Sequence, residues 1–218
     1  RIAEAARRSG RTPEQVALVA VTKFVAEGEI RALGEAGCST FGESRPQHLW
    51  DKAARLADLP IRWHLIGHLQ RNKVRRTLPL VAVIQSVDSL ELIRDLERQA
   101  EEAGRRTAIL LEVNASGEEA KHGFAPDAVR PLLPELAGCG HLEVRGLMCM
   151  ASLEGGPDRA RRDFASLREL RDRLRGECPD AVRLDELSMG MSGDFEVAIE
   201  EGATMVRIGS ALFEGLAG

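Results

Sequence analysis

The chain has 218 residues, 44% of them hydrophobic and 29% charged, with 30 Lys+Arg against 34 Asp+Glu for a formal net charge of -4. This composition supplies a sizeable core and excludes a disordered tail, and the length suits either two small domains or one barrel of roughly 200 residues or more. A slightly acidic balance without a Lys/Arg-rich run removes the electrostatic case for nucleic acid or an anionic membrane as the main partner.

Short apolar, β-branched runs alternate eight times with charged segments that carry apolar residues at helical spacing. Strands are predicted over 17–22, 38–42, 61–66, 81–85, 108–114, 142–148, 183–187 and 204–208. Helices are predicted near 26–36, 46–57, 69–77, 89–103, 126–138, 158–175, 193–202 and 210–216, with Gly37, Gly104, Gly138 and Gly176 as C-terminal caps. Gly155-Gly156-Pro157 reads as the loop after the sixth strand. Eight nearly continuously apolar strands, each followed by a helix, call for a parallel sheet covered by helices. The simplest solution is one closed (β/α)8 TIM barrel spanning residues 1–218. An open doubly wound sheet is the alternative, but no G-x-G-x-x-G follows the first strand.

The chain opens at Arg1 rather than Met, which reads as a truncated N-terminus. Cys38, Cys139, Cys149 and Cys178 show no C-x-x-C spacing, and no apolar run is long enough for a signal segment or a membrane span. A reduced, cytoplasmic protein is expected. Only four of the basic residues are lysines, Lys23, Lys52, Lys73 and Lys121, so covalent lysine chemistry has four candidates.

Ligands of this fold sit at the C-terminal ends of the strands. Leu18 to Lys23 ends the first strand on a lysine that faces either the barrel mouth or solvent. In the mouth it would be desolvated, and a neutral amine attacks carbonyls to form a Schiff base. Ser188-Met189-Gly190-Met191-Ser192-Gly193-Asp194 follows the seventh strand, and Arg207-Ile208-Gly209-Ser210 closes the eighth. Loops at these two places commonly hold phosphate, because small residues let backbone N–H groups approach an anion and hydroxyls add donors. Arg207 would be costly in the mouth without an acceptor; Glu186 or Asp185 could supply one, as could the ring nitrogen of a cofactor. A lysine nucleophile, a phosphate cup and a neighbouring arginine together describe a pyridoxal phosphate site.

Other candidates carry less. His64 and His68 have i, i+4 spacing, but the first falls on a strand and the second after it, against metal binding. Met148, Met150, Met189 and Met191 suit core and pocket packing. Arg71, Lys73, Arg75 and Arg76 crowd one short, solvated helix face.

Six stretches, Ala20 to Lys23, Trp63 to Lys73, Val113 to Glu118, Gly146 to Met150, Leu187 to Ser192 and Val206 to Gly209, resemble the pyridoxal phosphate homeostasis proteins of the YggS/PROSC type over nearly the whole chain. The resemblance implies a barrel like the N-terminal domain of alanine racemase, with pyridoxal 5'-phosphate (PLP) held as an aldimine by Lys23 and Arg207 beside the pyridine nitrogen. It also implies phosphate contacts from Ser192, Gly209 and Ser210, with Met189 and Gly190 completing the cofactor-binding set. Such proteins are understood to carry PLP, possess no established catalytic turnover, and serve vitamin B6 balance with PLP-dependent apo-enzymes as partners. Where the family usually continues Asn-Tyr-x-Gln-Glu after Phe41-Gly42-Glu43, this chain reads Ser44-Arg45-Pro46-Gln47-His48, which alters the contact expected of the asparagine. The N-terminal helix also reads as shortened.

The competing expectation is a PLP-dependent amino-acid racemase. Racemisation needs a base on each face of the substrate carbanion, and in the racemases this chain resembles the second base is a tyrosine from a separate domain. The chain contains no tyrosine and ends soon after the eighth strand, so a carrier is expected, and a barrel that borrows no residue from a neighbour can work as a monomer.

Overall fold

In the computed structural model, which describes residues 1–118, 120–152, 154–179 and 181–213, each of the eight apolar runs forms a strand. They are β1 (Ala17–Val21), β2 (Thr40–Glu43), β3 (Arg62–Leu65), β4 (Val83–Val87), β5 (Thr107–Glu112), β6 (Leu142–Met148), β7 (Glu186–Ser188) and β8 (Met205–Ile208). All pair in parallel and in chain order, and β8 returns to β1 with Val19 opposite Arg207, closing the barrel. The open doubly wound sheet is thereby excluded.

The helices that cover the sheet are α1 (Ile2–Arg8), α2 (Glu27–Glu35), α3 (Pro46–Arg55), α4 (Val74–Thr77), α5 (Leu90–Glu102), α6 (Pro126–Val129), α7 (Leu133–Ala137), α8 (Gly156–Arg175), α9 (Phe195–Glu200) and α10 (Ser210–Phe213). The single helix expected over 126–138 is broken into α6 and α7 by a 3-10 turn at Arg130–Leu132, because Pro131 and Pro134 remove backbone donors. The four glycines expected as C-terminal caps do end helices: Gly138 and Gly176 are the capping residues of α7 and α8 in right-handed conformation, and Gly37 and Gly104 directly follow the capping residues of α2 and α5 with positive φ. The expected end of the last helix at 214–216 lies outside the described residues. Short as it is, α1 buries Ala5 and Ala6, and Arg1 and Arg8 reach Glu196 and Glu200 at 2.9 Å.

Two apolar clusters follow from strand alternation. The larger, including Leu65, Ile84, Ile109, Leu147 and Val206, lies between sheet and helices. Val83, Ala108, Leu110 and Met148 form the smaller one on the alternate positions, inside the barrel. Polar inward positions continue that interior toward the C-terminal mouth. Among the described residues no helix is long and apolar enough to cross a membrane.

Candidate functional site

A cavity of about 660 Å³ opens at the C-terminal ends of β1, β2, β3, β7 and β8, within the range of small-molecule sites. Lys23, Ser192, Arg207, Gly209 and Ser210 all line it, so five of the seven residues singled out by sequence converge. Ser44, at the departure from the family pattern, lines it too. Its backbone is approached closely by Gly67, where a Cβ would stand 2.3 Å from the Ser44 carbonyl oxygen. Phe24, Met150 and Phe213 supply an apolar rim.

Lys23 lies two residues beyond the end of β1, where the chain turns, and it is exposed. The expectation of a desolvated amine is therefore corrected: the side chain stands in the open mouth. Its Nζ sits 5.3 Å from the Phe24 ring centroid and has no hydrogen-bond partner among the described residues. The other lysines differ. Lys52 Nζ donates to Glu43 and to the Thr22 carbonyl, and Lys121 Nζ donates to Ser116, Glu118 and the Ala151 carbonyl. Lys73 belongs to a 3-10 turn outside the cavity.

Arg207 is 3% exposed, and burial pulls its pKa down, but a guanidinium keeps its charge. Pairing with Asp185 or Glu186, one of the two expectations, does not occur. Asp185 accepts from Arg175 at 2.8 Å, and Arg207 instead donates from Nη1 to Ser188 Oγ at 2.6 Å and from Nη2 to the Cys149 carbonyl at 2.8 Å. Two of the five guanidinium N–H groups suffice for these bonds, which leaves donors for a ligand in the cavity. Ser188 Oγ donates onward to Gln85 Oε1 at 2.6 Å, and Gln85 Nε2 reaches His64 Nδ1 at 2.7 Å. A polar chain thus crosses the barrel interior from β8 to β3 and fixes the arginine fork.

His64 anchors the far end of that chain. Burial, with repulsion from Arg62 and Arg145, holds its pKa down to about 4, so the folded state keeps it neutral. An unfolded imidazole protonates near 6.5, hence acidification from there toward 4 favours unfolding, at a total of about 3 kcal/mol. Glu112, raised to about 7 mainly by burial, acts oppositely and costs stability as the pH climbs from its usual value. In denaturant titrations across this range, His64→Leu should lack the acid-side loss that the native protein carries. Equal pH slopes for the two would show that His64 is not held neutral.

The loops after β7 and β8 are tied together. Ser192 Oγ accepts from the Gly209 and Ala211 N–H groups at 3.2 and 3.3 Å. Asp194 Oδ1 accepts from the Met191 N–H at 2.6 Å, which closes the turn into α9. Met189 and Gly190 do not line the cavity; they form the wall behind it. Met189 is fully buried, and its N–H donates to the Met205 carbonyl while Gly190 accepts from the Arg207 N–H. Gly190 is required at this bend: its φ is +92°, and a Cβ would stand 2.5 Å from that of Ala198.

Sequence reading missed the buried polar partners. Glu43 is fully buried; its Oε1 accepts from Thr22 Oγ1 at 2.8 Å and from Lys52, while Oε2 has no partner. This pair lies under the residue preceding Lys23. Gln85 and Ser188, placed in or beside predicted strands, carried the visible signal of polar residues on inward strand positions. His64 and His68 are separate, as expected: the first faces the barrel interior, and the second bonds Asp88 Oδ2 at 2.7 Å on the rim.

An eight-stranded parallel barrel whose C-terminal mouth holds a cavity lined by a lysine, a buried arginine and two tied loops belongs to the class of barrels that take a small molecule at that face. Residues 2–216 match the family described as alanine racemase, N-terminal domain. The chain belongs to this family and, within it, to the pyridoxal phosphate homeostasis proteins. It is 40% identical over 213 residues to the pyridoxal phosphate homeostasis protein of Aquifex aeolicus, covering 98% of this chain and 92% of that one. The protein of the same name from Pseudomonas aeruginosa is 41% identical, over 98% of this chain and 90% of its own length. Among solved structures, PipY of Synechococcus elongatus PCC7942 with PLP bound superposes with a TM-score of 0.86 at 38% identity, covering 98% of this chain and all of that one. The relatives carry the names of homeostasis proteins rather than enzymes.

Proposed function

We propose that this chain binds PLP covalently through the Lys23 amine and carries it in the cytoplasm as part of vitamin B6 homeostasis. The observation that carries the reading is the free Lys23 amine in the same cavity as Arg207, Ser192, Gly209 and Ser210. PLP supplies an aldehyde that condenses with a primary amine and a pyridine ring that draws electrons from the attached carbon. The residues present fit it. Lys23 supplies the amine, Arg207 has N–H groups to spare for the ring nitrogen, and Ser192, Gly209 and Ser210 surround the place for the phosphate, with Met189 and Gly190 backing that wall. A guanidinium that donates to the ring nitrogen leaves it unprotonated and the ring a weak electron sink, which suits a carrier. Four free cysteines accord with a reduced compartment.

The racemase reading shares Lys23 and Arg207, but the 218 residues contain no tyrosine to serve as a second base. Three measurements decide the matter. Added PLP should produce the visible absorbance of a lysine-bound cofactor, saturating at one equivalent, and PLP-loaded protein should transfer its cofactor to an apo-enzyme. Rapid solvent-deuterium exchange at the α-carbon of an added amino acid would overturn the carrier reading.

The phosphate cup has its own test. Ser192→Ala removes the hydroxyl that ties Gly209 and Ala211, so affinity for PLP should fall about tenfold, the value of a charge-assisted hydrogen bond. Pyridoxal, which has no phosphate, should bind the variant as it binds the native protein. Equal losses for both ligands would place the phosphate elsewhere.

A further inference from the structure

The β3–β5 side of the barrel mouth carries a cluster outside the cofactor cavity. His68 lies three residues past β3, Asp88 directly follows β4, and His122 lies in the connection after β5. Both imidazole Nδ1 atoms approach one carboxylate oxygen, Asp88 Oδ2, at 2.7 Å from His68 and 3.7 Å from His122. The two rings stack with centroids 4.7 Å apart, and the potential ligand atoms of all three residues lie within 4.8 Å of one another.

Charge makes the cluster unusual. The Asp88 side chain is only 7% exposed, and among the described residues no lysine or arginine pairs with it. A buried carboxylate ordinarily meets a full counter-charge or a metal. Here its ion-pair partners are two imidazoles, and Glu112, buried at the end of β5, adds a second carboxylate that it repels.

We propose that His68, Asp88 and His122 bind one divalent transition-metal ion, zinc foremost, at the barrel mouth. Two imidazole nitrogens and a carboxylate oxygen are borderline donors that zinc takes at about 2.0–2.2 Å, with a fourth position left to water. Tetrahedral bonds of that length separate ligand atoms by about 3.3 Å, and the observed 2.7 and 3.7 Å straddle this value. Both imidazoles are exposed, so the rings have room to tilt from their stack toward a shared ion. Coordination requires the Nδ1 lone pairs, so any proton held there leaves to solvent as the metal binds.

Calorimetric titration of tag-free, chelator-treated full-length protein with zinc chloride tests the site. One equivalent should bind with a dissociation constant below about 100 µM. His68→Ala and His122→Ala should each weaken binding by about tenfold or more. His122 is exposed and outside any helix or strand, so its variant keeps the test valid even where His68→Ala disturbs folding. Absence of saturable binding, or unchanged affinity in His122→Ala, would overturn the proposal. The second result would assign the zinc to other donors, such as the cysteines or the cofactor phosphate.

Discussion

Replacing Lys23 with alanine should abolish the visible absorbance that develops with PLP, while leaving the fold untouched. The two halves of this expectation rest on one observation. Lys23 is exposed and makes no hydrogen bond or ion pair among the described residues, so its loss should change unfolding free energy by no more than about 0.5 kcal/mol. Its amine nevertheless faces the cavity shared by Arg207 and the tied loops, which none of the other three lysines does. The covalent link should therefore vanish entirely, with weaker noncovalent binding through the phosphate contacts surviving. Lys121→Ala and Lys73→Ala should retain the band. An unchanged spectrum in Lys23→Ala would remove Lys23 from the role, and a collapse of stability would show that the side chain is structural.

The largest loss of stability is expected from Lys52→Ala. Glu43 is wholly buried at the end of β2, the Lys52 side chain is 16% exposed, and Lys52 bridges Glu43 to the Thr22 carbonyl. Removing the lysine strands a carboxylate whose second oxygen already has no partner, at a cost of about 3–5 kcal/mol. It also frees the carbonyl next to Lys23, so PLP binding should weaken in the same variant. Glu43→Gln combined with Lys52→Met should recover most of the stability, because no uncompensated charge remains. Urea titrations of Glu43→Gln, Lys52→Met and the double variant close the cycle. A loss below about 1 kcal/mol in Lys52→Ala would mean that Thr22 and its surroundings satisfy Glu43 without the lysine.

Strand and helix order was legible from residues alone because it depends on local periodicity. β1, β5 and β6 are short runs dominated by apolar side chains, β2, β3, β4 and β7 mix in polar ones, and the eightfold alternation of such short segments with helices leaves a parallel barrel as the simplest closure. Lys23 and the two small-residue loops were legible for the same reason: they sit directly after strand ends, and this fold places ligands there. Helix interruptions were less so, since Pro131 and Pro134 divide a pattern that otherwise reads as one amphipathic segment.

Partnership was decided by the tertiary structure. Arg207 had acidic candidates 21 and 22 positions away in sequence, yet parallel pairing of β7 with β8 sets it beside Ser188, and the barrel interior links that serine to Gln85. Glu43 with Lys52, and His68 with Asp88 and His122, likewise come from different elements. Composition and periodicity determined a barrel with a lysine just past its first strand, and the structure placed that lysine on the cavity at the mouth. Which side chains meet there depends on register and closure, properties of the whole sheet that no local stretch encodes.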